Sequence, residues 1–65
     1  MTMLEYVKTI LIKVSFDCKL FEKELSKAIN ILLSEELKEL KRWCIDQFGH
    51  IYYEIMHKHF SLVHI

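Results

Sequence analysis

The chain has 65 residues, equal numbers of acidic and basic side chains, and a hydrophobic fraction of 52%. This length leaves room for a single domain over residues 1–65. High hydrophobicity argues against a mainly disordered chain, and zero formal net charge lacks the electrostatic footprint of a nucleic-acid or membrane-surface binder.

The first predicted element is a β-strand over residues 7–16, which are rich in β-branched side chains. Its side chains alternate between an apolar and a more polar face, with one interruption at Leu11. The apolar face consists of Ile10, Ile12, Val14 and Phe16. A competing interpretation is an N-terminal helix, because Thr2 and Glu5 have the spacing of a capping box. We favour the strand.

An amphipathic helix follows, and Asp17 has the residue type and position of its N-cap. Its apolar stripe has helical spacing, with Leu20 and Ile31 on the far side. The stripe consists of Cys18, Phe21, Leu25, Ala28, Ile29 and Leu32.

A second helix is predicted to begin at Ser34 as its cap and to end at Gly49. Its charged residues alternate in sign, which is typical of a solvated face, and Trp43 lies outside its apolar stripe. The stripe consists of Leu37, Leu40, Cys44, Phe48 and Ile51.

A third helix is predicted from His50 to about Phe60, with an apolar arc over half its circumference. The predicted fold is therefore mainly α, formally α+β, with a short N-terminal β-strand followed by three α-helices. A lone strand leaves its backbone groups unpaired, so we expect it to pair with the same strand of a second copy.

Self-association also accounts for the surplus of apolar residues in so small a chain, because small domains bury a limited fraction of their surface. We expect a homo-oligomer, most simply a dimer, and another protein is an alternative occupant of the same surface. The predicted interface consists of Ile10, Leu11, Ile12, Val14, Leu20, Ile31, Trp43, Tyr52, Tyr53, Met56 and Phe60.

Chemistry-bearing residues are few. His50, Glu54 and His57 follow each other at helical spacings of four and three, which makes them weak metal-ligand candidates, and the alternative is a solvated polar face. Cys18 and Cys44 are predicted core thiols, because each lies on an apolar stripe. We expect no cofactor and no enzymatic activity.

A strand with alternating faces followed by two helices resembles the ribbon–helix–helix repressors over residues 8–48. The resemblance implies that Thr9, Leu11 and Lys13 face the DNA major groove and that the helix beginning at Ser34 faces phosphate. This DNA-binding repressor is the alternative prediction.

The first prediction is a non-enzymatic interaction or regulatory protein. The absence of a signal-peptide pattern and of an apolar stretch near 20 residues predicts a cytoplasmic protein without a membrane partner.

Overall fold

The computed structural model describes residues 1–61 and contains three α-helices in that range. Helix α1 spans Met3–Lys13, α2 spans Cys18–Ile31, and α3 spans Ser34–Phe60. Each helix packs against the other two. The mainly helical class is confirmed, whereas the N-terminal strand is wrong.

Helix α1 begins at the capping box that the sequence offered as the competing interpretation. The Glu5 amide donates to Thr2 Oγ1 at 3.1 Å, and the Thr2 amide donates to Glu5 Oε2 at 3.2 Å. Leu4, Val7 and Leu11 then face the core at helical spacing. Leu11, which interrupted the strand pattern, is fully buried.

Packing explains why the strand prediction over residues 7–16 fails. A β-branched residue costs a helix at most about 0.7 kcal/mol relative to alanine, whereas burying one Leu or Val stabilises by roughly 1.5–3 kcal/mol. Ile10 and Ile12 therefore lie on a helix, and Val14 is its C-cap, so the three residues do not share one face of a strand. Without a strand over these residues, the expected strand pairing between copies is wrong. The resemblance to ribbon–helix–helix proteins fails for the same reason, since the described residues contain no strand to form the ribbon.

Helix α2 follows the sequence prediction closely. The Asp17 carboxylate accepts hydrogen bonds from the amides of Lys19 at 2.9 Å and Leu20 at 3.2 Å, which confirms the predicted N-cap. Phe21, Leu25, Ala28 and Leu32 of the predicted stripe are buried, and Ile29 is half-buried against the core. Cys18 is exposed, so its prediction as a core thiol is wrong: it is the first helical residue and precedes the packed part of the stripe.

The N-cap of helix α3 is Leu33 and not Ser34 as predicted, and Ser34 is the first helical residue. The Leu33 amide donates to the Glu36 carboxylate at 3.0 Å. The predicted helix end at Gly49 is wrong, because the backbone there stays helical without a positive φ. The predicted stripe is buried through Phe48, but Ile51 is exposed.

The break between the predicted second and third helices lies at Tyr52, where φ is −119° and ψ is 25°. A straight helix of 27 residues is about 40 Å long, but the longest dimension of the fold is 26 Å. Helix α3 therefore bends sharply at Tyr52. We call residues 34–51 the proximal limb and residues 53–60 the distal limb.

An aromatic cluster holds this bend against α2. The Tyr52 ring stacks on Phe21 with centroids 4.5 Å apart, and Phe21 meets the Phe48 ring edge-on at 5.1 Å. The Tyr52 hydroxyl donates to the carbonyl of Ser15, in the loop before α2. The buried core of the described residues consists of Leu4, Val7, Leu11, Phe21, Leu25, Ala28, Leu32, Leu37, Leu40, Cys44, Phe48, Met56 and Phe60.

Candidate functional site

Three residues of the predicted interface belong to the core of the single chain. Leu11, Met56 and Phe60 are at most 3% exposed. Leu11 is buried because α1 replaces the strand, and the other two are buried because the bend turns the distal limb inward. They form the floors of two surface grooves, and they cannot supply an exposed contact surface.

The first groove lies between α1 and α2 and has a volume of about 210 Å³. We call it the α1/α2 groove. It brings together Ile10 and Ile31, two residues of the predicted interface that lie 21 positions apart in the chain. The lining residues are Tyr6, Val7, Ile10, Leu11, Glu24, Lys27, Ala28 and Ile31.

An apolar surface continues from this groove along the start of α1. Tyr6 lines both the α1/α2 groove and a shallow depression formed with Met1, Thr2 and Met3. Met3 and Tyr6 are each about half exposed, at 49% and 52%. We call the groove and this depression together the α1/α2 face.

The second groove lies between the two limbs of α3 and has a volume of about 180 Å³. We call it the α3 groove. Lys41 and Ile45 of the proximal limb face Tyr53 and His57 of the distal limb across it. Met56, Phe60 and Ser61 complete the lining. It exists only because α3 bends, since a straight helix would separate Lys41 from Phe60 by roughly 28 Å.

One edge of the α3 groove is basic. Lys41 and Ile45 also line a neighbouring depression together with Lys38 and Arg42. No acidic residue lines either depression. Within residues 1–61, no carboxylate lies within ion-pair distance of Lys38, Lys41 or Arg42, and the ion pairs of this range involve Lys27, Lys58 and His59.

The remaining residues of the predicted interface are scattered. Ile12 and Leu20 are exposed but line neither groove. Val14 and Tyr52 are half-buried and pack against the core. Trp43 contacts the Phe48 ring edge-on, and the Lys8 ammonium lies 5.7 Å from the centre of its indole.

The three weak metal-ligand candidates are exposed and do not form a cluster. The bend at Tyr52 interrupts the helix between His50 and Glu54, so His50 no longer shares a helix face with Glu54 and His57. His57 instead stacks on Tyr53, with ring centroids 5.9 Å apart. Among residues 1–61, no three His, Cys, Asp or Glu side chains come close enough to hold a metal ion.

Sequence reasoning missed a polar contact that fastens the distal limb to α2. His59 Nε2 lies 2.9 Å from Glu22 Oε2, and Lys58 Nζ lies 3.5 Å from the same oxygen. The hydrogen bond from His59, with a smaller contribution from Lys58, holds the pKa of Glu22 below its ordinary value. The sequence did contain a hint of this contact. Glu22 follows Phe21 and His59 precedes Phe60, and both phenylalanines are buried, so their polar neighbours lie at the edge of the core.

The two cysteines differ in burial. Cys44 is buried, as predicted, and its burial raises the pKa of the thiol to about 12. Cys18 is exposed and free at the start of α2. In the part of the chain that the structure describes, no helix has both the length and the apolar character needed to cross a bilayer.

No protein-family model, curated protein or solved structure matches this chain. The grooves, their charges and the contacts that shape them are therefore the basis for assigning a function.

Proposed function

We propose that this chain is a small non-enzymatic interaction protein with a regulatory role, and that two copies associate through the α1/α2 face. The observation that carries the proposal is the continuous apolar surface formed by Met3, Tyr6 and Ile31, which are 49%, 52% and 57% exposed. Single exposed apolar side chains are ordinary, whereas a contiguous apolar patch beside a groove marks a contact surface.

The charges at the rim of the α1/α2 groove favour a second copy as the occupant. Glu24 and Lys27 both line the groove, with their charged groups 3.6 Å apart. In a contact with two-fold symmetry, the same patch meets itself in the reversed direction. Lys27 of each copy can then face Glu24 of the other, so the surface is complementary to itself. Zero formal net charge adds no long-range repulsion between copies.

The size of the chain sets how much of this face the contact needs. A stable interface buries about 800 Å² per partner, roughly a sixth of the 4622 Å² surface of the folded chain. The largest side of the molecule measures 26 by 26 Å, so the contact must use most of one side. The groove together with the Met1–Met3 depression extends along α1 and meets this requirement better than the groove alone.

The reactive side chains of the described residues support a role without catalysis. The Cys44 thiol is buried with a raised pKa, and His59 is engaged with Glu22. An activated nucleophile needs a lowered pKa and access to a cleft, which the buried Cys44 thiol lacks, and the His59–Glu22 pair lines neither groove. Two free cysteines are consistent with a reducing compartment, which supports the proposed cytoplasmic location.

The test is the oligomeric state of the full chain, measured by sedimentation equilibrium from low micromolar to about millimolar concentration. We expect a reversible dimer. Ile31→Lys should weaken it by about 2 kcal/mol, or roughly thirtyfold in Kd, because both copies lose a buried apolar contact.

Ile51→Lys is the matched control, since Ile51 is 58% exposed, as Ile31 is to 57%, and lines neither groove. It should leave the dimer unchanged. A chain that stays monomeric throughout the concentration range contradicts the proposal. Equal weakening by both substitutions contradicts the assignment to the α1/α2 face.

A further inference from the structure

We propose that the α3 groove is a second binding surface, separate from the self-association face, and that it binds an acidic peptide segment of another protein through one apolar anchor. The groove combines an apolar pocket with a basic edge, so a matching ligand needs an apolar side chain for the pocket and acidic groups for the edge. The partner is a peptide in which Asp or Glu residues flank one large apolar side chain.

The apolar half of the surface has the size and lining for one side chain. The pocket volume of about 180 Å³ is comparable to the engineered apolar cavity of about 150 Å³ that binds benzene. Its floor is formed by Met56 and Phe60, and Ile45 and Tyr53 form walls that remain 43% and 56% exposed. The flexible thioether of Met56 suits the floor of a pocket that must adapt to its ligand.

The basic half of the surface sets the charge of the ligand. Lys38, Lys41 and Arg42 project beside Ile45 on the proximal limb. Glu35 and Glu39 precede Lys38 and Arg42 by three residues, yet no carboxylate of residues 1–61 lies within 4.0 Å of these cations. Their charges are available to a partner, and an acidic peptide supplies matching carboxylates at the edge of the pocket.

Two observations favour a peptide over a nucleic acid. Three clustered cations in a chain of zero net charge are too few for the multiple phosphate contacts on which nucleic-acid affinity depends. Base stacking needs open aromatic faces, and His57 already covers one face of the Tyr53 ring. An enclosed apolar floor suits an inserted side chain, which a peptide provides.

A second copy of the chain fits this groove less well than it fits the α1/α2 face. The α3 groove and its edge carry Lys38, Lys41 and Arg42, and the acidic Glu39 and Asp46 line the next depression, on the far side of Arg42 and Ile45. Two such edges meeting across a two-fold axis place Lys and Arg against each other. A partner of opposite charge removes this conflict.

The test is an NMR titration of the full chain, isotopically labelled, with three synthetic peptides. The first has glutamates around one phenylalanine, the second has lysines in place of the glutamates, and the third has alanine in place of the phenylalanine. We expect saturable shifts at Ile45, Tyr53 and His57 with the first peptide only, at concentrations up to about 1 mM.

Lys41→Glu should weaken binding of the first peptide about tenfold, since it replaces an attraction at the groove with a repulsion. Lys23→Glu makes the same charge change on α2, outside both grooves, and should leave the binding unchanged. Because this readout is peptide binding, it is separable from the sedimentation test of self-association.

Three results overturn the inference. Absence of shifts at about 1 mM excludes a peptide site, and equal binding of the acidic and basic peptides removes the role of the basic edge. Tighter binding of a single-stranded oligonucleotide than of the acidic peptide assigns the groove to nucleic acid.

Discussion

The two grooves differ in how the chain builds their walls. The α1/α2 groove has walls from two separate helices, and its rim carries both signs of charge, Glu24 and Lys27. The α3 groove has both walls from one helix folded back at Tyr52, and the charged residues of its lining and edge are Lys38, Lys41 and Arg42. A mixed rim is complementary to itself, whereas a rim of one sign requires a different partner.

The grooves also depend on different contacts. The α1/α2 groove depends on the docking of α1, through Leu4, Val7 and Leu11. The α3 groove depends on the bend, which the Tyr52 contacts and the Glu22–His59 pair hold against α2. Substitutions can therefore remove both surfaces, or disturb the α3 groove alone.

The largest expected effect comes from a buried ring whose loss destabilises the core that carries both surfaces. Phe21 is fully buried and contacts both Phe48 and Tyr52. Phe21→Ala should cost about 3–5 kcal/mol, against a total stability of roughly 3–10 kcal/mol for a chain of this length. We expect a fall in Tm of more than about 15 °C by circular dichroism, with loss of both binding activities.

Phe16→Ala is the matched control, because Phe16 is 80% exposed. Its effect should stay within about 0.5 kcal/mol. If the two alanine variants have the same stability, Phe21 is not the shared support of the two grooves.

The sequence predicts elements well where local signals suffice. Helix α2 has a side-chain cap at Asp17 and buries Phe21, Leu25 and Ala28 of its predicted stripe, and both features follow from residues close together in the chain. Helix α1 was missed because alternation over residues 7–16 outweighed one capping box. The alternation describes a strand only if a partner strand exists, and a short window of sequence does not contain that information.

The candidate site was predictable only in part, because local sequence signals identify apolar residues but not the distant residues that they meet. Ile10 and Ile31 were both assigned to the predicted interface, Ile10 as part of a strand and Ile31 as an off-stripe residue, and they meet in one groove. The basic edge of the α3 groove was read as a solvated face, because only the bend brings Tyr53 back to Lys41. Contacts from Tyr52 to distant residues hold that bend, and helical periodicity carries no trace of them.

An intermediate effect should separate the two grooves. Tyr52→Phe keeps the ring stacked on Phe21 but removes the hydrogen bond to the Ser15 carbonyl. We expect a loss of about 1 kcal/mol in urea unfolding, since this is the usual net contribution of one hydrogen bond. Peptide binding at the α3 groove should weaken with it, while self-association through the α1/α2 face stays unchanged.

Tyr53→Phe provides the control for this comparison. Tyr53 is 56% exposed, and within residues 1–61 its hydroxyl has no recorded hydrogen bond. Removing that hydroxyl should change stability by less than about 0.5 kcal/mol. A larger loss in Tyr53→Phe than in Tyr52→Phe contradicts the role of the Ser15 contact in holding the bend.

The smallest expected effect is a pH dependence of stability that arises from the contact between Glu22 and the distal limb. The pKa of Glu22 is lowered in the fold from its ordinary value of 4.5, chiefly by the hydrogen bond with His59. A group whose pKa is lower in the fold stabilises the fold fully at pH values above its pKa in the unfolded chain. This contribution disappears as the pH falls through its pKa in the folded chain. The urea midpoint of the natural chain should therefore decline below pH 4.5 more steeply than that of Glu22→Gln.

The size of this difference should be small and sensitive to salt, because the Glu22 side chain is 35% exposed and solvent screens the pair. Glu24→Gln removes a carboxylate that pairs with Lys27 within α2, and serves as the control at the α1/α2 groove. Only Glu22→Gln should flatten the acid limb of the stability profile. Parallel profiles for Glu22→Gln and the natural chain mean that the His59 contact does not fasten the distal limb, which leaves the Tyr52 contacts and the buried Met56 and Phe60 to hold the α3 groove.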